Sequence, residues 1–294
     1  MGRVDQPNEG TISWRRLWAD TEPLVGGRAI ARWICEEASG LDGDEFLEAL
    51  DDPATERTVH HLDAMVQRVR DGEPVQYVLG RWAFRHLDLM VDRRVLIPRP
   101  ETEQLVELAL ARVRSIAGPR LCVDLGTGSG AIGLSLAAEL PLDATTVWLT
   151  DVSADAIDVA RANAIGVGRK SVNVRFGVGS WFDALPDDLR GRLHLIVANP
   201  PYIAADDPEV EVSVHQWEPA HALFAGTDGL DAVRQIAADA AQWLAPGGWL
   251  LLEIGHRQGP QVAALLIDAQ LRDVTIHPDL IGRQRFAIAR AADG

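Results

Sequence analysis

Val123-Asp124-Leu125-Gly126-Thr127-Gly128-Ser129-Gly130 decides the fold. An apolar run that starts at Leu121 ends in an acid, three glycines follow within five positions, and a helical pattern opens at Ala131. Glycines at a strand-to-helix turn let the backbone bend sharply and approach a ligand closely. Downstream the chain keeps alternating: TVWLT (146–150), a helix from Ala154, VNVRF (172–176), LHLIVA (193–198), a helix from Gly229, WLLLEI (249–254), and short elements to Arg290. Strands alternating with helices predict a doubly wound, mainly parallel sheet, which binds ligands at the carboxyl ends of its strands.

Upstream the pattern changes twice. Residues 1–10 are polar, with Pro7 and Gly10, and read as a tail. From there to Gly72 the period is helical. Ile30, Trp33, Ile34 and Ala38 share one expected face, with Gly40 as C-terminal glycine. Asp52-Pro53 reads as N-cap and first helical residue of a second stripe, Val59, Leu62, Val66 and Val69. Trp14, Trp18 and Trp33 are expected in the core of this small bundle. His60 and His61 are adjacent, so they cannot form an i,i+4 metal pair, and no metal is expected. Trp82, Phe84, Leu87, Leu89 and Val91 predict a β-hairpin. Pro98 and Pro100 then fix an extended segment before a helix from Glu101, whose buried face is Leu105, Leu108, Ala109, Val113 and Ile116. The expected domains are a helical bundle over 1–72, a linker with the hairpin over 73–100, and an α/β domain over 101–294.

Composition bounds the function. The chain has 294 residues, 47% hydrophobic and 24% charged, which excludes a disordered or collagen-like chain. Net charge is −15. Up to Gly80 there are eight basic against sixteen acidic residues, and after it twenty against twenty-seven. Neither part carries the excess expected of a nucleic-acid-coating protein. Cys35 and Cys122 show no CxxC pattern and read as buried, reduced thiols. Asp5, Glu9, Arg15 and Arg16 leave no room for a signal-peptide apolar core, and no apolar run approaches the roughly 18 residues of a membrane span. A cytoplasmic chain without membrane partners is expected.

Two strand-end acids refine the glycine loop. The loop is G-T-G-S-G rather than G-x-G-x-x-G, and Asp124 precedes it. An acid there is a poor neighbour for a pyrophosphate but suits a ligand with a cationic amino group. Asp151 ends TVWLTD, where a carboxylate can accept both ribose hydroxyls of an adenosine. The combination favours S-adenosylmethionine over a nicotinamide dinucleotide, the alternative being a tight turn that holds no ligand.

Asn199-Pro200-Pro201-Tyr202 follows the apolar strand LHLIVA. Two prolines end a strand, although one would suffice for that alone. A planar amide or exocyclic amine nitrogen is a poor nucleophile because its lone pair is delocalised. The Asn199 side-chain oxygen and the Pro200 carbonyl can each accept one N–H of such a group, aiming its remaining lobe at a methyl donor. Pro201 stiffens the loop and Tyr202 can pack on the planar target. No strong general base is required.

With the glycine loop, this tetrapeptide makes the chain resemble the class I methyltransferases that modify planar NH2 groups. Within them it is most similar to the protein-(glutamine-N5) methyltransferases of class I peptide-chain release factors. The resemblance runs from about residue 12 to Arg290 and is carried by GEPVQYVLG (Gly72–Gly80), LIPRPETE (Leu96–Glu103), DLGTGSGAIGLSLA (Asp124–Ala137), NPPYI (Asn199–Ile203), WEPAHALFAGTDGL (Trp217–Leu230) and LLLEIG (Leu250–Gly255). Related enzymes that act on a large-subunit ribosomal protein have IPRSP where this chain has Pro100 and ETE. The resemblance implies a Rossmann-like, mainly parallel seven-stranded sheet behind a small N-terminal helical bundle and hairpin. It implies S-adenosylmethionine as cofactor, held by Gly126, Thr127, Gly128, Ser129, Gly130, Asp151, Trp181 and Asn199, with Asp124 added from the strand end. It implies as substrate the glutamine of the release factor's Gly-Gly-Gln tip, held by Asn199, Pro200, Pro201 and Tyr202, with Asn199, Pro200 and Tyr202 catalytic. Ser180 stands where the family often has an acid before the tryptophan. Arg99, Glu101 and Glu103 are candidates to orient the tip or close over the cofactor, although acids in a first helical turn also serve the helix dipole. Glu253 and Gln258 read as structural supports. A monomer is expected, with the N-terminal bundle docking the release factor.

Two competing readings remain at this stage. An adenine-N6 nucleic-acid methyltransferase shares the Asn-Pro-Pro-Tyr logic but needs base flipping and a basic recognition region. A release-factor-binding protein without turnover would not need an intact loop and tetrapeptide.

Overall fold

The computed structural model describes residues 11–205 and 216–293; the polar segment 1–10 lies outside them. The chain divides into two compact units, Met1–Gly80 and Arg81–Gly294.

The first unit contains α1 (Trp14–Thr21), α2 (Arg28–Ser39), α3 (Gly43–Glu48), α4 (Glu56–Arg70) and α5 (Val75–Leu79). Its core gathers Trp14, Leu17, Ala31, Ile34, Cys35, Phe46, Leu62 and Met65, and Trp14 and Trp18 both meet the Phe46 ring at 6.1 Å. Gly40 ends α2 in the left-handed conformation, φ 73°, as its position predicted. Three expectations need correction. Trp33 is 38% exposed, because the buried stripe of α2 is Ala31, Ile34, Cys35 and Ala38. Helix α4 starts at Glu56 with Thr55 as N-cap, its side chain accepting the Thr58 N–H. The Asp52–Ala54 backbone is instead bonded to residues 12 and 14, through Trp14 N–H to the Asp52 carbonyl (3.3 Å) and Ala54 N–H to the Ile12 carbonyl (2.9 Å). Finally, the bundle continues past Gly72. Arg68 donates to both oxygens of buried Glu73 (2.8 Å each) and to the Tyr77 carbonyl, which ties α5 to α4 and ends the unit at Gly80.

The second unit opens with the hairpin, β1 (Arg81–Phe84) paired antiparallel with β2 (Leu87–Met90). The hairpin is no free linker. Phe84 and Leu89 are buried in one cluster with Leu105, Ala109 and Leu134. Its turn residue Arg85 donates to Glu139 through Nε (2.6 Å) and Nη2 (2.8 Å), and its N–H donates to Glu103 (3.0 Å). Next come α6 (Pro100–Val113), β3 (Arg120–Leu125), α7 (Ala131–Glu139), β4 (Thr145–Asp151), α8 (Ala154–Val167), β5 (Val174–Val178) and β6 (Leu193–Ala198). After them follow α9 (Asp231–Trp243), β7 (Leu244–Glu253), α10 (Gly259–Asp268), β8 (Arg272–Pro278) and β9 (Gln284–Arg290).

These strands form a seven-stranded sheet in the order β5-β4-β3-β6-β7-β9-β8. Strands β3 to β7 are parallel, while β9 runs antiparallel to β7 and β8. Alternation along the central strands splits the core into two layers. Cys122, Val147, Leu149, Leu195 and Val197 pack with α6, α7 and α8; Val123, Leu125, Ile196, Ala198, Leu250 and Leu252 pack with α9 and α10. The chain moves outward from β3 to β4 and returns to β6 on the other side, so β3 and β6 flank the topological switch point where such sheets bind ligands. Both motifs singled out in the sequence leave from these two strands. Among the described residues no helix is long and apolar enough to cross a membrane. Cys35 and Cys122 are free and buried, and burial pushes both thiols up to about 12.

Candidate active site

Asp124, next to last in β3, is fully buried. Its Oδ2 accepts from the Thr127 hydroxyl (2.6 Å) and the Gly133 N–H (2.9 Å), while its Oδ1 is buried with no partner. Burial pushes this carboxyl up to about 7, opposed by the Thr127 and Gly133 hydrogen bonds and assisted by the charge of Asp151. The loop after it turns through positive φ at Gly126 (71°), Gly128 (53°) and Gly130 (88°), a region disfavoured for residues with a Cβ. Thr127, Ser129 and Gly130, expected at the cofactor, brace the loop from beneath. The Thr127 N–H donates to the Thr150 carbonyl and the Gly130 N–H to the Thr127 carbonyl, both at 2.8 Å. The Ser129 carbonyl accepts from Asn163 Nδ2 (2.8 Å), and the same Asn163 amide closes both backbone bonds of Met90.

Asp151 ends β4. Its Oδ2 accepts from the Gly128 N–H (3.0 Å) and its Oδ1 from the Ser153 N–H (2.9 Å). Two backbone donors thus fix the carboxylate plane, and each oxygen keeps a lone pair for a further donor. Trp181 sits after β5 with φ 45°, a strained value for a bulky side chain and a mark of functional sites. Its Nε1 donates to Gln235 Oε1 (2.7 Å), and its ring lies 3.5 Å from where a Cβ on Gly126 would be.

Gly126, Gly128, Asp151, Trp181 and Asn199 line one cleft, completed by Arg94, Val95, Leu96, Val152, Ser180, Pro201, Pro219, His221 and Ala222. Val152 is 62% exposed at its wall, beside the carboxylate that the sequence assigned to a ribose. Asp124 lies behind the loop, and its unpartnered buried oxygen is the feature a cationic amino group would satisfy. These residues fit S-adenosylmethionine.

A second cleft shares Leu96, Asn199, Pro201 and Ala222 with the first. Pro200, Tyr202 and Arg99 line it with Gln258, Arg283 and Arg285. Asn199 therefore stands where the two clefts meet. Its Nδ2 donates to Thr102 Oγ1 (3.3 Å), and Thr102 donates to Glu253 Oε2 (2.7 Å). The Tyr202 hydroxyl donates to Glu253 Oε1 (3.4 Å). Burial of Glu253 pushes its carboxyl up to about 7, against the Thr102 hydrogen bond and the Arg285 charge. The Tyr202 phenol is raised well above its usual value by burial and then by the Glu253 charge, so it stays neutral. The tetrapeptide is clamped by Gln258 Nε2, which donates to the Tyr202 carbonyl (3.0 Å), and by bonds of Ile203 to Leu223 and Ala225. Glu253 and Gln258 thus support the loop, as their sequence positions suggested.

The flanking charges resolve differently. Arg99 Nη2 pairs with buried Glu218 Oε1, whose Oε2 accepts the Ile97 N–H (3.2 Å), so IPRPE is tied to WEPAH. Glu103 is taken by the hairpin turn. Glu101 lines neither cleft, and the first-turn residue that reaches the site is Thr102 between the two acids. Sequence reading missed Thr102, Asn163, Arg94, Val152 and His221. The exposed apolar Val152 directly after Asp151 was a usable signal; for Thr102 there was none.

Fold and site together define a Rossmann-like methyltransferase of class I. The family model Methyltransferase small domain matches residues 107–279 and the PrmC N-terminal domain residues 27–80. The chain belongs to the release factor glutamine methyltransferase family. The protein of that name from Xylella fastidiosa (strain Temecula1) is 45% identical over 82% of this chain and 84% of its own. That from Deinococcus radiodurans is 40% identical over 90% and 91%. A solved structure, a release-factor-specific protein-(glutamine-N5) methyltransferase from Alicyclobacillus acidocaldarius, is 30% identical, covering 67% of this chain and 94% of that one, with a TM-score of 0.41.

Proposed function

We propose that this protein transfers the methyl group of S-adenosylmethionine to the side-chain amide nitrogen of the glutamine in the Gly-Gly-Gln motif of class I release factors. The observation that carries the reading is Asn199 at the meeting point of two clefts, with its amide nitrogen turned inward to Thr102. The cofactor, when bound, supplies a methyl group on a positively charged sulfur. Asp151 accepts the ribose hydroxyls, and Val152 and Trp181 pack the adenine. The loop Gly126 to Gly130 cradles the amino-acid end, with Asp124 compensating its ammonium. From the second cleft, Asn199 Oδ1 and the Pro200 carbonyl accept the two N–H bonds of the glutamine amide. That draws the nitrogen out of conjugation and points its lone pair toward the first cleft. Pro201 and Tyr202 hold the amide plane. As the N–C bond forms, the bond from sulfur to the methyl group breaks and leaves a neutral thioether; the methylated amide still carrying its extra proton is a strong acid, so that proton passes to solvent water without a dedicated base.

Within this reading the chain acts as a monomer in the cytoplasm and needs no nucleic acid, in keeping with its acidic balance. Arg99 acts through Glu218, shaping the rim of the substrate cleft. The test is to incubate the protein with methyl-labelled S-adenosylmethionine and either release factor, DNA or RNA. Label entering release factor alone is expected; label entering nucleic acid would transfer the assignment to the adenine-N6 class.

A further inference from the structure

The Thr102 hydroxyl is buried at the start of α6, with the residue 4% exposed. It touches the two groups that decide how Asn199 presents itself. A side-chain amide can sit in either of two orientations related by a half turn, and the neighbouring donors and acceptors choose between them. Only the orientation with oxygen toward the clefts accepts a substrate N–H; the other sets donor against donor.

The hydrogen-bond chain makes that choice. Glu253, 1% exposed, accepts the single proton of the Thr102 hydroxyl at 2.7 Å. Thr102 is left with lone pairs only, and so takes the Asn199 Nδ2–H at 3.3 Å. Glu253 is itself held by Tyr202, whose hydroxyl donates to Oε1, while Arg285 Nη1 donates to the same phenol, both at 3.4 Å. Among the described residues Asn199 Oδ1 makes no hydrogen bond of its own. We propose that Thr102, ordered by Glu253, is a positioning residue that locks the Asn199 amide with its oxygen facing the substrate nitrogen. The inference deepens the glutamine-methyltransferase reading and rests on it.

Thr102 is not a catalytic residue, because it touches no reacting atom. Its effect should therefore pass entirely through Asn199. Thr102→Val keeps the shape and removes the hydroxyl, leaving the amide free to flip. Its kcat should fall roughly 10- to 100-fold, the loss expected when an oriented acceptor is misplaced. The KM for release factor and the affinity for S-adenosylmethionine should stay within about threefold, since uniform binding is untouched. Thr102→Ser should retain near-normal kcat. Glu253→Gln, whose amide can donate to Thr102 and release its proton toward Asn199, should lower kcat in the same way. In an Asn199→Ala background, Thr102→Val should cost little more.

The experiment is steady-state methyl transfer to intact release factor by the full-length wild type and these variants, each checked for an unchanged melting transition. Thr102→Val with near-normal kcat overturns the proposal. So does a loss as large in the Asn199→Ala background as in the wild type, or a Thr102→Ser variant as impaired as Thr102→Val. A wild type that leaves the release factor unmethylated overturns the underlying reading, and the two failures are told apart by that control.

Discussion

An amide nitrogen attacks a methyl group only if something draws its lone pair out of resonance, and Asn199 is the side chain proposed to do so. Asn199→Ala should lower kcat by at least about 100-fold, as for removal of one positioned transition-state contact. Affinity for S-adenosylmethionine should stay within about threefold, measured by calorimetry beside the turnover assay. Near-normal turnover would remove Asn199 from its role. Asp124 supports a separate prediction. Burial raises its carboxyl to about 7, above the ordinary aspartate value of about 3.9. Without ligand, its contribution to stability is full below the unfolded value and is lost as pH rises through about 7. A cationic amino group beside it favours the ionised form, so the sign for binding is the reverse. Affinity for S-adenosylmethionine should rise from about pH 6 to about pH 8, and Asp124→Asn should flatten that rise. A wild-type affinity flat across this range would separate Asp124 from the ligand's ammonium. Asp124, Asp151 and Asn199 to Tyr202 were legible in the sequence because each motif is contiguous and its chemistry lies in its residue types. Thr102 and Asn163 were not. Thr102 meets Asn199 across 97 positions, and Asn163 meets Met90 across 73, and only the folded sheet brings such partners together.

Among the elements, the segment from Trp217 to Leu230 shows how a second motif shapes the first. Gly229 has φ 72°, and a Cβ there would stand 2.3 Å from the Tyr202 carbonyl oxygen and 2.8 Å from Gln258 Nε2. The clamp that Gln258 places on Tyr202 depends on that empty space. Gly229→Ala should destabilise the second unit by about 2 kcal/mol or more, combining left-handed strain with a backbone clash. It should also reduce kcat, since the tetrapeptide must shift. A melting temperature and kcat both equal to wild type would show that the clamp is dispensable. The strands and most helices were readable from periodicity, and the hairpin was placed correctly because Trp82 to Val91 alternates. Its role is not legible there: a short hairpin between two domains reads as a linker, whereas Phe84 and Leu89 are buried in the sheet's core. Likewise Asp52-Pro53 is a sound helix start locally, yet the Asp52 carbonyl is already bonded to Trp14 and the next N–H, of Ala54, to Ile12.

At the scale of the whole molecule, both clefts of the candidate site lie in the unit Arg81–Gly294, and among the described residues the helical unit holds no cluster that could bind a metal ion. Its proposed task is to dock the release factor, so that a flexible tip is ordered in an effectively intramolecular step. Protein lacking residues 1–80 should bind S-adenosylmethionine within a few-fold of the full chain but lose most turnover on intact release factor. Turnover on a short Gly-Gly-Gln peptide should be poor in both and little changed. The cut belongs after Gly80, because Arg68 and Glu73 bind α5 into the first unit. Truncated, folded protein that methylates intact release factor as well as the full chain would show that the unit is not a docking domain. The proposed reaction turns on one nitrogen atom, and locating the transferred methyl group reads it out. Release factor treated with the protein and S-adenosylmethionine should be digested and its fragments sequenced by tandem mass spectrometry. One added methyl on the side-chain nitrogen of the Gly-Gly-Gln glutamine, absent with Asn199→Ala, is the predicted result; methyl on any other residue, or an unmodified glutamine beside active wild-type protein, would contradict it.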